Sequence, residues 1–367
     1  MPNNGLRSTN AMSFILIAVL MFSRRGNSQT VSLPRISQQA TVSQMIGIST
    51  VMVKYSRPSV KHRVIWGDLV PYGWNIQKGL GLENPAPWRA GADENTTITF
   101  SHQVKVEGID IPAGTYGLFF IINEGNTGEV ILSKNITSWG SFFYDPGEDQ
   151  LKASIKLREI QFTEMLTFEF INISNNACEL VLNWEKKQFP IKINFDVNEI
   201  VMANAKSELK GQMEFATSGY ISAAYYSYQN NIDRDQGIMW IDKALEAEPT
   251  NYQAVWVKAR FLIRDGKAEE AEMLIKSALE KSSETEMEGF GNMLLNLGIT
   301  DRAIKVFLLY SERYPKSAIS WYCLGEGYFN KGKKNDAIVV FRKSLSLNPT
   351  NDIKLKIENR LKTLLTQ

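Results

Sequence analysis

The sequence of 367 residues is poor in the side chains that build metal centres and disulfide frameworks. It contains two cysteines, Cys178 and Cys323, and two histidines, His62 and His102. Structural zinc sites usually take four Cys or His ligands, and disulfide-stabilised domains carry many more cysteines. We therefore expect two free thiols, no cofactor and no metal site.

The chain also lacks an excess of charge of either sign. Lys and Arg number 41 against 39 Asp and Glu, which gives a formal net charge of +2. Proteins dedicated to nucleic acid or to anionic membrane surfaces usually show a basic excess that attracts the polyanion. The composition therefore argues against a nucleic-acid partner.

An apolar run near the N-terminus is too short to cross a membrane. Residues 14–22 (FILIAVLMF) are far fewer than the roughly 20 that a membrane-spanning helix needs, and their number suits the core of a signal peptide. Arg24 and Arg25 follow the run and oppose translocation, so an unprocessed, tethered form is the alternative. We predict a signal peptide over residues 1–29, an exported chain and no transmembrane segment after cleavage. The start at Met1 or Met12 and the cleavage site stay undecided.

Alternating apolar and polar residues predict an all-β domain over residues 30–196. Eight runs show this pattern, at residues 48–55, 96–101, 115–122, 129–134, 151–157, 166–173, 178–184 and 189–195. Turn residues separate them and no helical pattern intervenes, which indicates a sandwich-like fold of eight to ten strands. A long interruption at residues 67–91 is the expected place for a functional loop.

After residue 196 the periodicity becomes helical and repeats itself. Small residues at Gly237, Ala271, Ala303 and Ala337 follow one another at intervals of 34, 32 and 34 residues. In residues 318–351 the spacing W-x2-L-G-x2-Y…A-x3-F…P is complete, and this segment resembles a tetratricopeptide repeat (TPR). Its members are Trp321, Leu324, Gly325, Tyr328, Ala337, Phe341 and Pro349.

The resemblance implies an all-α TPR solenoid joined to the β-domain. We predict a helical linker at residues 197–217, four repeats at 218–251, 252–283, 284–317 and 318–351, and a capping helix at 352–367. Terminal repeats of a solenoid need such a polar cap because their outer face has no neighbour.

The TPR resemblance also implies a groove lined by the first helix of each repeat. Two rows of side chains fall on that face: Tyr226, Arg260, Asn292 and Glu326, and one turn later Asn230, Arg264, Asn296 and Asn330. Asn side chains both donate and accept, so they suit an extended peptide backbone, and two arginines one turn apart could hold a carboxylate. The alternative is that these residues only solvate a helix face or pack against the β-domain. Trp256 and Tyr322 fall on the same face.

The β-domain resembles the domain of unknown function 2911 family. The resemblance rests on residues 55–61 (YSRPSVK), 69–73 (LVPYG), 88–94 (WRAGADE) and 112–116 (PAGTY), with Trp139-Gly140-Ser141 and Tyr144-Asp145 extending it. It spans residues 33–196 and implies an exported protein of a Gram-negative periplasm or envelope. The family has no established activity, so the resemblance implies a fold and not a reaction. The link at residues 74–87 is longer than is usual in the family.

Polar residues flanking the long interruption form a second candidate site. They are Arg57, His62, Trp88, Arg89, Asp93 and Glu94. Carboxylates beside arginine could bind an anion or act on a glycoside, and Trp66, Tyr72, Trp74 and Trp88 could stack on a sugar ring. The structural alternative is that Arg57 and Arg89 are buried partners of Asp93 or Glu94 and fix the loop to the sheet.

No recognisable catalytic motif occurs in the chain. The sequence therefore predicts a non-enzymatic, exported interaction protein that holds a peptide or protein partner in its TPR groove. The alternative is a carbohydrate-binding or carbohydrate-active protein that uses the polar site of the β-domain.

Overall fold

The computed structural model describes residues 34–76, 84–211 and 216–366. It contains a strand-rich region, residues 37–194, followed by a helical region, residues 217–366. This confirms the predicted combination of an all-β sandwich-like domain and an all-α TPR domain. The predicted signal peptide lies outside the described residues.

The β-domain consists of two antiparallel sheets. In chain order its strands are β1 (Gln38–Ile46), β2 (Ser49–Arg57), β3 (Asn75–Ile76), β4 (Pro85–Ala86), β5 (Thr97–Phe100), β6 (Val104–Val106), β7 (Ile109–Ile111), β8 (Gly114–Ile122), β9 (Thr127–Ser133), β10 (Asp149–Lys156), β11 (Arg158–Ile171) and β12 (Ala177–Asn194). One sheet has the order β1-β2-β5-β8-β9-β10 and the other β11-β12-β6-β7, while β3 and β4 pair with each other. Apolar side chains of both sheets meet in one core.

Strand β8 is buried on both of its faces. Leu118 and Phe120 face the core between the sheets, while Phe119 and Ile121 are covered on the other side by Ala86 and Tyr144. The sequence of a strand that is buried on both faces is a continuous apolar run and not an alternating pattern. Ala86 therefore lies over the outer side of the larger sheet. Two residues later Trp88 joins the sheet beside Phe120, with which it exchanges two backbone hydrogen bonds of 2.8 Å.

The strand predictions missed the short strands β3, β4, β6 and β7 and were wrong in two further details. Residues 178–184 and 189–195 belong to one strand, β12, which bends at Glu185, a non-glycine residue with φ +54°. The pairing with β11 is irregular at this point, so the bend is a bulge and not a turn. Strand β1 was missed because it is an edge strand in which only Ile46 is buried.

The helical region is a series of antiparallel helix pairs. Its helices, with the connecting helix α1 (Val197–Glu208), are α2 (Thr217–Asn230), α3 (Arg234–Ala247), α4 (Tyr252–Arg264), α5 (Ala268–Lys281), α6 (Glu284–Asn296), α7 (Thr300–Arg313), α8 (Ala318–Asn330), α9 (Lys334–Ser346) and α10 (Asn351–Thr366). Gly325 of α8 lies against the ring of Phe341 of α9, and Gly291 of α6 lies against Phe307 of α7. Glycine at these positions lets the paired helices approach closely.

Helix α1 packs against both regions. Asp196 begins it by accepting a hydrogen bond from the Glu199 backbone N–H. Val197 and Ile200 lie against the β-domain core, whereas Met202 belongs to the first helical core together with Tyr220 of α2. The connection between the two regions is therefore an ordered, two-sided helix.

Both cysteines are buried free thiols, Cys178 in the β-domain and Cys323 in α8. Burial raises the pKa of Cys178 to about 11 and raises that of Cys323 as well. Across the described ranges, no helix combines the length and apolar character needed to traverse a bilayer.

Candidate functional site

A cavity of about 480 Å³ opens on the β-domain beside the segment that crosses the larger sheet. Its walls come from the turn after β2, from the segment around Trp88, and from the loop before β10. The charged lining residues are Lys61, Arg63, Arg89 and Asp93, and the aromatic ones are Trp88, Trp139, Phe142 and Trp184. Three of the six polar-site residues predicted from the sequence, Trp88, Arg89 and Asp93, therefore line one cavity.

Arg89 is held in the wall of this cavity by its neighbours in the chain. It donates a hydrogen bond of 2.8 Å to the backbone oxygen of Asp93, and its guanidinium carbon lies 5.4 Å from the ring centre of Phe142. Ala90 and Asp93 adopt positive φ values of +54° and +60°, which curls the segment around the guanidinium. Burial lowers the pKa of Arg89, and the nearby Asp93 carboxylate opposes this effect.

The predicted ion pairs of this site do not form. Arg57 donates to the Leu166 backbone oxygen at 2.9 Å and to Thr167 Oγ1 at 2.6 Å, which ties β2 to the other sheet. Glu94 pairs with Arg35 at 2.6 Å, and this hydrogen bond lowers the Glu94 pKa. The alternative that Arg57 and Arg89 are buried partners of Asp93 or Glu94 is therefore wrong for Arg57, whereas Arg89 is a partly buried partner of Asp93 through that residue's backbone oxygen. Neither Arg57 nor Glu94 lines the cavity.

The aromatic residues near the cavity separate into buried and exposed groups. Trp66, Trp88 and Trp184 pack together, with Trp88 and Trp184 stacked at 5.8 Å between ring centres. Tyr72 and Trp74 lie on the surface outside the lining, as does His62. Trp184, which sequence reasoning overlooked, is 1% exposed, and its indole Nε1 has no hydrogen-bond partner among the described residues.

In the helical region, both ends of the first predicted groove row are occupied. Tyr226 donates to Asn198 of α1 at 2.8 Å and lines a cleft toward the β-domain, together with Asn230. At the other end, Arg360 of α10 donates two hydrogen bonds of 2.9 Å to the Glu326 carboxylate. For these two residues of the row, the structure supports internal packing and not an open groove.

The middle of the groove is cationic and aromatic. The guanidinium carbons of Arg260 and Arg264 lie 4.5 and 3.7 Å from the ring centre of Tyr228. Arg264 also donates to the Tyr228 backbone oxygen at 2.7 Å. Neither arginine forms an ion pair with a carboxylate of the described chain. Burial alone would raise the pKa of Tyr228, but hydrogen bonds and charge from the two arginines lower it.

The predicted asparagine ladder is only partly available. Asn230 and Asn330 donate their amide hydrogens to the backbone oxygens of Tyr226 and Glu326 in their own helices. Asn292 is half-buried and Asn296 is exposed, and within the described residues their side chains form no hydrogen bond. The central asparagines are therefore better placed than the outer ones to meet a ligand.

A small cavity of about 260 Å³ lies beside the arginines. It is lined by Tyr228, Trp256, Arg260, Ile263, Leu297 and Ile299. Ile263 is 43% exposed and Leu297 is 47% exposed, although both are large apolar side chains. The cavity thus offers apolar walls next to two cations.

Glu288 is a groove candidate that sequence reasoning missed. It lies 34 residues before Tyr322, so the repeat register that singled out Tyr322 and Trp256 also marks Glu288. Its side chain is half-buried, and burial raises its pKa, with Glu284 adding to the effect. Within the described ranges, no group of three or more His, Cys, Asp or Glu is placed to hold a metal ion.

The family models match both regions of the chain. Residues 37–193 match the family described as "Protein of unknown function (DUF2911)", and residues 318–351 match the tetratricopeptide repeat. Both resemblances seen in the sequence are confirmed. No curated protein matches the chain.

Several solved structures are similar to part of the chain. YrrB, described as a TPR protein with an unusual peptide-binding site, is 21% identical, with 44% of this chain and 84% of that chain covered and a TM-score of 0.25. PilF of Pseudomonas aeruginosa is 22% identical, with coverages of 41% and 69% and a TM-score of 0.25. MamA of Desulfovibrio magneticus is 13% identical, with coverages of 41% and 93% and a TM-score of 0.22.

Proposed function

We propose that the helical region binds an extended peptide segment of a partner protein in the middle of its groove. The match to the tetratricopeptide repeat supports a protein-interaction module. The observation that carries the finer proposal is the apolar cavity beside Arg260 and Arg264. In this proposal an apolar side chain of the peptide fills the cavity, and a neighbouring carboxylate meets the arginines.

Apolar and charged contacts would act together in this arrangement. Burial of a Leu-sized side chain against Trp256, Ile263 and Leu297 is worth about 1.5–3 kcal/mol before the costs of association. Arg264 already donates one N–H group to the Tyr228 backbone oxygen, but a guanidinium carries five N–H donors, so others remain for a carboxylate. The expected ligand therefore carries a large apolar residue next to Asp or Glu.

A peptide array tests this chemistry on the full chain. It would carry extended peptides in which a Leu, Ile or Phe stands beside Asp or Glu, and partners in which the acids are replaced by Lys. We expect preferential binding of the acidic set. Equal binding of both sets would contradict the proposal, because the arginines would then contribute nothing.

Matched arginine variants locate the binding surface. Arg260→Gln should raise the Kd of the best acidic peptide about tenfold, which corresponds to about 1.4 kcal/mol. Arg342→Gln is the control, since Arg342 is an exposed arginine on α9, the second helix of its pair. If both variants weakened binding equally, general electrostatic attraction and not this site would explain the result.

Export to a Gram-negative periplasm or envelope is a further part of the proposal. It is supported by the apolar run at residues 14–22 and its small polar flank. N-terminal sequencing of the protein from fractionated cells tests it. A chain that begins within residues 23–30 in the envelope fraction is expected, and an intact N-terminus in the cytosolic fraction would contradict it.

We further propose that the chain has no catalytic role. A glycosidase would need two carboxylates flanking one bond. Asp93 lines the β-domain cavity, but Glu94 is bound to Arg35 outside the lining. This arrangement favours binding over hydrolysis, and hydrolysis of a glycan that depends on both Asp93 and Glu94 would overturn the proposal.

A further inference from the structure

The β-domain cavity has a charge balance unlike that of the chain as a whole. Lys61, Arg63 and Arg89 line it against a single carboxylate, Asp93. The chain overall is almost neutral. None of the three cations forms an ion pair with a carboxylate of the described residues, so the cavity holds a local positive excess.

Two side chains of the cavity wall carry N–H groups without a partner among the described residues. Arg89 uses one of its N–H groups on the Asp93 backbone oxygen. Trp184, almost fully buried, has an indole N–H with no partner in the described chain. A buried donor without an acceptor costs about 1–3 kcal/mol.

The backbone around the cavity is held in a conformation that non-glycine residues rarely adopt. Lys61 and His62 have φ values of +47° and +59°, and Ala90 and Asp93 have similar values on the facing segment. Such strain costs of the order of 1–3 kcal/mol per residue and concentrates at ligand sites. Here it sets Lys61 and Arg89 on walls of the same cavity.

The cavity also has an aromatic rim. Trp139 is 53% exposed at the surface, and Trp88 lies deeper against Trp184. Its volume of about 480 Å³ is within the usual range of small-molecule sites, roughly 300–1,000 Å³. It can accommodate a compact organic molecule.

We propose that this cavity binds a small organic anion, whose carboxylate or phosphate is held by Arg89 and Lys61 and whose ring packs against Trp88 and Trp139. Arg63 adds charge at the entrance. This site is separate from the peptide groove, and its assignment does not depend on the proposed function of the helical region.

Calorimetric titration of the full chain tests the site with four probes. Glucuronate carries a carboxylate on a ring, glucose 6-phosphate carries a phosphate on a ring, glucose is an uncharged ring, and inorganic phosphate is an anion without a ring. We expect one or both of the ring-borne anions to bind at millimolar or lower concentration and to bind more tightly than glucose and inorganic phosphate. The ring-borne anion with the lower Kd identifies whether the cavity prefers a carboxylate or a phosphate.

Three variants connect that binding to the cavity. Arg89→Gln should raise the Kd of the preferred probe about tenfold or more, and Lys61→Gln, at an exposed position, should raise it several-fold. Lys54→Gln is the control, because Lys54 is exposed on β2 and does not line the cavity. Its Kd should equal that of the unaltered chain.

The outcomes separate cleanly. Absence of binding by both ring-borne anions would overturn the proposal, as would glucose binding as tightly as glucuronate. Loss of affinity in Lys61→Gln and not in Lys54→Gln would support it even if Arg89→Gln failed to fold. Equal weakening by both lysine variants would show attraction by general charge and overturn it.

Discussion

Replacing Gly325 by alanine should destabilise the last helix pair, although alanine is the better helix former. Gly325 lies inside α8, where the exchange by itself gains about 1 kcal/mol. A Cβ atom there would overlap Cδ1 and Cε1 of Phe341. Phe341 is completely buried and is enclosed by Ala337, Ile357 and Leu364, so its ring has no room to retreat.

The size of the effect follows from these opposing terms. Overpacking of a closed core costs about 1–3 kcal/mol, and the Phe341 overlap belongs at the upper end. After subtraction of the helix-forming gain, the net loss should be about 1–2 kcal/mol. Gly327→Ala is the matched control in the same helix, because its Cβ would lie 3.1 Å from Ile304 Cγ1, a tight contact that a small shift of that side chain relieves. The control should change stability by much less.

Urea denaturation of the full chain, followed by far-UV circular dichroism, measures both variants. The Phe341→Leu substitution should lower the free energy of unfolding less in Gly325→Ala than in the unaltered chain, because it removes the overlap. A double-mutant cycle measures this coupling. If Gly325→Ala were as stable as the unaltered chain, or if it matched Gly327→Ala, the close approach of α8 and α9 would not be the reason for glycine at this position.

Three further outcomes are expected. The raised pKa of Glu288 stabilises the fold fully below the ordinary value of 4.5, and this contribution is lost as the pH rises through the folded-state pKa. Glu288→Gln should therefore be more stable than the unaltered chain at neutral pH and equal to it at acid pH in thermal denaturation, and a constant difference would contradict this. Cys178 and Cys323 should react with a thiol reagent only as fast as the chain unfolds, and rapid labelling of the folded protein would show that they are accessible. Arg360→Gln should remove the bidentate ion pair with Glu326 and lower the free energy of unfolding in urea by about 1 kcal/mol. An unchanged free energy of unfolding would show that solvent screens this pair.

The helical region was predictable because its contacts recur at a fixed interval. Gly291 and Phe307 repeat the contact of Gly325 and Phe341 one repeat earlier, so the complete copy in residues 318–351 indicated where the others lie. The β-domain was less predictable, since β1 is a polar edge strand with a weak apolar pattern. The contacts of the β-domain also join residues that are far apart in the sequence.

The cavity shows the limit of local reasoning most clearly. Glu94 pairs with Arg35, 59 residues away, and Arg89 bonds to a backbone oxygen of Asp93 and not to its carboxylate. A backbone acceptor has no signature in the sequence. Trp184 lies at the site because of the way its strand pairs within the sheet. An alternating sequence pattern distinguishes a core tryptophan from a surface one, but it does not show which cavity the tryptophan lines.

Helix α1 gives the two regions a shared stability. One of its faces lies on the β-domain core through Val197 and Ile200, and the other meets α2 through Met202. Local opening of α1 would expose apolar surface on both sides at once, so each region helps to keep the other's boundary folded. Where α1 opens only together with the β-domain, a ligand bound to that domain would slow amide exchange in α1, far from the atoms it touches.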